Sequence, residues 1–116
     1  MTHRDVAYLN HILDAISDIE ESVGSHSKEE FLELKDVRDA NVRRLEIIGE
    51  ATKNVSTSTR DKYNSILWKD IAGTRDKIAH HYFGINFEIV WNIIKNDIPP
   101  LKKQILKMRL ELESNV

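Results

Sequence analysis

A chain of 116 residues with no cysteine, four glycines and two prolines can bury one hydrophobic core. It excludes a disulfide scaffold, a thiolate metal site and a turn-rich all-β fold. Charged residues make up 31% and the net charge is −2, so any nucleic-acid site must be local. No apolar run can span a bilayer and the N-terminal stretch is mixed amphipathic, so a cytoplasmic protein without membrane contact is expected.

Apolar spacing reads helical almost throughout. Val6, Leu9, Ile12, Leu13, Ile16, Ile19 and Val23 recur at threes and fours and predict a helix over 3–23, ended by Gly24. Ser27 and Glu30 form a capping-box pattern. From there Phe31, Leu34, Val37, Leu45, Ile48, Ala51 and Val55 predict a long second helix over 28–55, its inward stripe interrupted by Asn41 and Arg44. Gly49 inside it costs about 1 kcal/mol against alanine. Either it is tolerated there, or another backbone comes close, as across a dimer. Residues 56–65 read as a loop with at most one helical turn. Leu67, Ile71 and Ile78 mark a third helix over 68–81, followed by a turn at Gly84. Asn86 is a good N-cap for the last segment, whose apolar residues fall at 87, 91, 94, 98, 101, 105, 108 and 112. Pro99 and Pro100 sit inside that stripe and predict a kink or break near 95–99. The pattern is that of an all-α antiparallel bundle of four to five helices, in a single domain over 1–116.

One stretch, 72–84, carries more than scaffold. Arg75 lies four residues after Ile71 and three before Ile78, and both spacings put it on the same face as those apolar residues, the inner one. An inward arginine is costly unless it is paired or opens onto a cleft. His80 lies about 140° around an ideal helix from it. The two converge if the helix ends near His80 or a partner subunit supplies a second copy. Such a set suits phosphodiester cleavage. A histidine of near-neutral pKa can take the proton of an RNA 2′-hydroxyl, a guanidinium can hold the phosphate through two hydrogen bonds, and a tyrosine can position it, with no metal required. The same residue types near a helix C-terminus also complement its dipole and cap carbonyls.

Other candidates are weaker. His3, His11 and His26 are scattered without partners at metal-ligand spacing, and His80 and His81, being adjacent, point apart. Arg38, Arg43 and Arg44 offer a local basic patch, with Arg43 on a solvated face and Arg44 near the inner stripe, where it can join the site. Glu46 and Glu50 are spaced to pair with Arg43 or with the cluster. Trp68 and Trp91 fit a core or an interface better than base stacking.

The run Arg75-x4-His80-x-Tyr82 resembles the RX4HXY signature of the HepT toxins, or DUF86 family, within the HEPN superfamily. Further blocks resemble the family in order: Glu29-Glu30-Phe31, Ile47-Ile48-Gly49-Glu50-Ala51, Trp68 to Gly73, Tyr82-Phe83-Gly84-Ile85, Val90-Trp91 and Asn96-Asp97-Ile98-Pro99. The resemblance implies a HEPN-type bundle that forms a homodimer, with the motif helices of two subunits meeting at a cleft to make a composite ribonuclease site. It implies Arg75 as the phosphate-holding catalytic residue, His80 as catalytic base or acid, and Asp76 as a supporting residue that orients one of them. It also implies a partner, an MntA-type nucleotidyltransferase antitoxin that uses ATP to place AMP on Tyr82, itself also a substrate contact. No cofactor is expected. Arg75-x5-His81 meets the looser superfamily spacing, and His80 is favoured because Tyr82 then falls in register. The expected activity is that of a metal-independent endoribonuclease toxin acting on tRNA or mRNA. The alternative is a non-catalytic substrate- or nucleotide-binding subunit of the nucleotidyltransferase.

Overall fold

A computed structural model describes residues 3–80 and 84–114, the side chains of His3, Ala79 and His80 apart. Helix α1 (His3–Val23) runs as its apolar spacing predicts and stops at Gly24, whose φ of 47° is a left-handed conformation that glycine adopts without strain. Ser27 then opens α2 (Lys28–Glu33). Its hydroxyl accepts from the Glu30 amide at 3.2 Å, and the Glu30 carboxylate accepts from the Ser27 amide at 3.0 Å, closing the capping box.

The predicted long second helix is interrupted. Leu34, at φ −84° and ψ 87°, leaves helical geometry, and α3 (Lys35–Asn54) starts afresh after it. Tertiary contacts hold this break. Phe31 is buried and packs against Trp91 with ring centres 5.2 Å apart. Arg38 donates to the Leu32 carbonyl at 3.0 Å while its guanidinium lies 4.3 Å over the Phe87 ring. Asn41, which interrupts the stripe, is fully buried and satisfied. It donates to the Val37 carbonyl at 2.8 Å and accepts from Arg44 at 3.2 Å.

Where a loop with at most one helical turn is expected over 56–65, the six-residue α4 (Thr57–Lys62) forms. The Ser56 hydroxyl caps it, and Asp5 at the start of α1 accepts from the Ser56 amide, the Ser56 hydroxyl and the Thr59 hydroxyl at 2.9, 2.7 and 2.6 Å. The predicted third helix is broken as well. Helix α5 (Trp68–Ala72) ends at Gly73 and α6 (Thr74–Ile78) follows. A two-residue strand, β1 (Ala79–His80), pairs antiparallel with β2 (Gly84–Ile85), His80 standing opposite Gly84.

Asn86 caps α7 (Phe87–Asn92), its side-chain oxygen accepting from the Glu88 and Ile89 amides. The expected disturbance before the prolines is a π-helical turn, Ile93–Asp97, in which the Ile98 amide reaches back to the Ile93 carbonyl, and α8 (Ile98–Ser114) continues from it. Prolines at 99 and 100 cannot donate and their rings press on the carbonyls one turn back, so a widened turn lets the chain pass without breaking. Ile94, Ile98, Leu101, Ile105, Met108 and Leu112 are all buried along one face, as the stripe predicts.

Two contacts fix the direction of packing for each helix pair. Asp5 meets Ser56 while Ser22 meets Asn41, so α1 and α3 are antiparallel. Glu20 meets Lys102 while Asn10 meets Arg109, so α1 and α8 are antiparallel too. The architecture is an all-α bundle with α1 packed against both, and its core joins α1, α3, α7 and α8 through Leu9, Ile12, Ile16, Leu45, Ile48, Val90 and Ile105. No helix among the described residues is long and apolar enough to cross a membrane.

Candidate functional site

The signature stretch is anchored at both ends. Before it, Gly49 of α3 is buried, and a Cβ there would stand 3.3 Å from the Ile71 carbonyl oxygen and 3.5 Å from that of Ala72. The close approach expected at Gly49 is therefore real, and it comes from α5 of the same chain. Thr74 is buried, its hydroxyl donating to the Ile71 carbonyl at 2.8 Å, and Ile78 is buried one turn on. After the stretch, the Asn86 amide donates to the Ile78 carbonyl at 2.8 Å, and Gly84 takes a φ of 82° to turn the chain back. Short α6 is thus clamped by Thr74 and Ile78, and Arg75, Asp76 and Lys77 between them are exposed.

That corrects the inward placement of Arg75. One helix through 68–81 would turn Arg75 inward, but the break at Gly73 changes the phase, putting Thr74 and Ile78 inside and Arg75 outside. Arg75 still opens onto a cleft, of about 480 Å³, between α1, α3 and the α5–α6 corner. Gly49, Ala51 and Ala72 are among its small lining residues, Arg43, Glu46 and Glu50 come from α3, and Tyr8 and His11 from α1. Glu50 pairs with Lys53 at 3.3 Å, and no described residue pairs with Arg43 or Arg75. Two unpaired guanidiniums in one concave site are suited to a phosphate, which each can bind through paired N–H donors.

The basic candidates are redistributed. Arg43 is exposed, as expected, and lines the cleft, whereas Arg44 turns to Asn41 instead of joining the site and Arg38 packs on Phe87. Asp76 is exposed beside Arg75, and no hydrogen bond or ion pair joins the two. The backbone of His80 lies in β1, two residues past Ile78, and the position of its side chain is outside the described residues, as are His81 and Tyr82. Trp68 is buried, its indole N–H donating to the Tyr63 carbonyl at 3.1 Å, and Trp91 packs on Phe31, so both are structural as expected. The α1 wall was missed by spacing along the signature. Its signal is present in the sequence, since Tyr8 and His11 sit three apart, off the Leu9–Ile12–Ile16 stripe.

A family model described as "Ribonuclease HepT-like" matches residues 12–108. A protein named "Putative RNase" from Caldanaerobacter subterraneus subsp. tengcongensis is 46% identical over 98 residues, 84% of this chain and 88% of that protein. "Probable ribonuclease HepT" from Thermococcus cleftensis is 41% identical over 108 residues, 93% of this chain and 96% of that one. A longer protein from Methanocaldococcus jannaschii, named "Gamma-glutamylcyclotransferase and putative RNase", is 46% identical over 108 residues, and this chain spans 49% of its length. No solved structure matches the chain.

Proposed function

The chain belongs to the HepT-like ribonuclease family, and from that membership we propose that it is an endoribonuclease toxin cutting tRNA or mRNA without a metal. The observation that carries the reading is Arg75, an exposed guanidinium without a counter-ion among the described residues, in a cleft at the head of the Arg75-x4-His80-x-Tyr82 run. In this mechanism Arg75 grips the scissile phosphate and stabilises the charge that grows on it. His80 takes the 2′-hydroxyl proton, the 2′-oxygen attacks phosphorus, and the 5′-oxygen leaves, giving a cyclic phosphate. Asp76 supports the orientation of this pair. Two subunits form a homodimer whose motif segments face one another across a shared cleft. An MntA-type nucleotidyltransferase switches the toxin off by moving AMP from ATP to the Tyr82 hydroxyl. The added bulk and negative charge then occupy the phosphate position.

The test is incubation of purified protein with total RNA and tRNA in excess EDTA, after intact mass shows Tyr82 free of AMP. Wild type is expected to cut and His80→Ala to lose cleavage at least a hundredfold, the scale of a lost general base. Absence of cleavage by folded, unmodified wild type overturns the reading in favour of a non-catalytic subunit of the nucleotidyltransferase.

A further inference from the structure

The wall of the cleft opposite α6 has no part in the mechanism above. Tyr8 and His11 line it from α1, one turn apart. Their rings meet edge to face, 5.8 Å between centres and 88° between planes, and the Arg4 guanidinium lies 5.8 Å from the centre of the Tyr8 ring. Tyr8 is half-buried and His11 exposed, while the neighbouring Leu9 and Ile12 fill the core. Tyr8 packs against the core with one side and lines the cleft with the other, and His11 beside it completes an aromatic corner there. Arg43 of α3 lines the same cleft as this corner and Arg75, and no described residue pairs with it. A cleft of about 480 Å³ lies in the range, ~300–1,000 Å³, that holds a small organic ligand.

Aromatic rings and cations lining one cleft of this size are the combination that single-stranded RNA requires: a face for a splayed base and charge for the phosphates beside it. Resting on the ribonuclease reading, we infer that Tyr8 and His11 form a nucleobase subsite. It takes the base of a nucleotide next to the scissile phosphate, with Arg43 on the adjoining phosphate and Arg75 on the one that is cut. Tyr8 and His11 here are positioning residues, holding the strand so that the phosphodiester lies at Arg75. The subsite accepts any base with a π-face.

The experiment compares wild type, His11→Ala, Tyr8→Leu and Tyr8→Phe on a short single-stranded RNA and on the same strand with abasic ribonucleotides flanking the cut. Losing one stack is expected to lower kcat/KM about tenfold for His11→Ala and Tyr8→Leu on intact RNA, with Tyr8→Phe near wild type. On the abasic strand the three variants and wild type are expected to cut alike, since the base contact is already gone. An equal loss on both strands, or none on either, overturns the proposal, and so does a change of oligomeric state in His11→Ala, which would make this wall a subunit contact. If wild type cuts neither strand, the ribonuclease reading fails separately. The subsite is then read by quenching of 2-aminopurine placed in the strand, which wild type must produce and His11→Ala must weaken. Quenching by free 2-aminopurine ribonucleotide without quenching of the strand overturns the RNA assignment.

Discussion

Among single residues, Asp5 and Arg75 show two opposite uses of a charge. Asp5 is buried, and burial alone would raise its pKa. The hydrogen bonds from the Thr59 and Ser56 hydroxyls and the Ser56 amide outweigh that and hold it below the usual carboxylate value. A lowered pKa in the folded state means that the unfolded chain binds the proton more readily. The stabilisation is therefore present above the unfolded value, about 3.9, and is lost as pH falls through the folded one. Asp5→Ala is expected to cost about 2–3 kcal/mol in urea melts at neutral pH, because it removes charge-assisted bonds and takes away the acceptor of the buried Thr59 hydroxyl proton. The gap to wild type should narrow as the melts are repeated toward pH 3, and a gap independent of pH would show that the carboxylate charge plays no part. Arg75 is the reverse case, an exposed cation with no partner among the described residues. Its type and spacing were legible in the sequence. Its direction was not, because that depends on whether one helix or two cover 68–81.

At the scale of elements, what the sequence reveals follows from where the determining forces act. Helix α1, the capping box of α2 and the Asn86 cap of α7 are set by residues within a turn of each other, and they stand where the spacing places them. The break at Leu34 has no glycine or proline to announce it. It is made by Phe31 against Trp91 and Arg38 against Phe87, pairs far apart in the chain. The Tyr8–His11 wall joins the site in the same way, only once α1 packs on α3. Gly49 shows how such packing reaches the chemistry, since its missing side chain lets α5 lie close enough for Arg75 to overlook the α3 face. Gly49→Val should push α5 away, costing about 1–3 kcal/mol by overpacking, and should lower cleavage further than the stability loss explains. Urea melts and RNA cleavage on the same preparation measure both. A valine variant of full stability and full activity would mean that the close approach has no role.

For the molecule as a whole, the bundle and the site are built from different faces of the same helices. The core runs through the buried stripes of α1, α3, α7 and α8, whereas the cleft takes the outer residues of α1 and α3 and the exposed side of α6. With a net charge of −2 the molecule has no general attraction for RNA, so the proposed activity would rest on the cations of that cleft that no described residue pairs. Scaffold and chemistry should therefore separate on mutation. The most direct measurement is Arg75→Ala assayed in parallel for RNA cleavage in EDTA and for urea unfolding. The expected result is loss of cleavage by about a hundredfold or more with stability within about 0.5 kcal/mol of wild type. Cleavage retained by a folded Arg75→Ala protein would contradict the assignment of this cleft as the ribonuclease site.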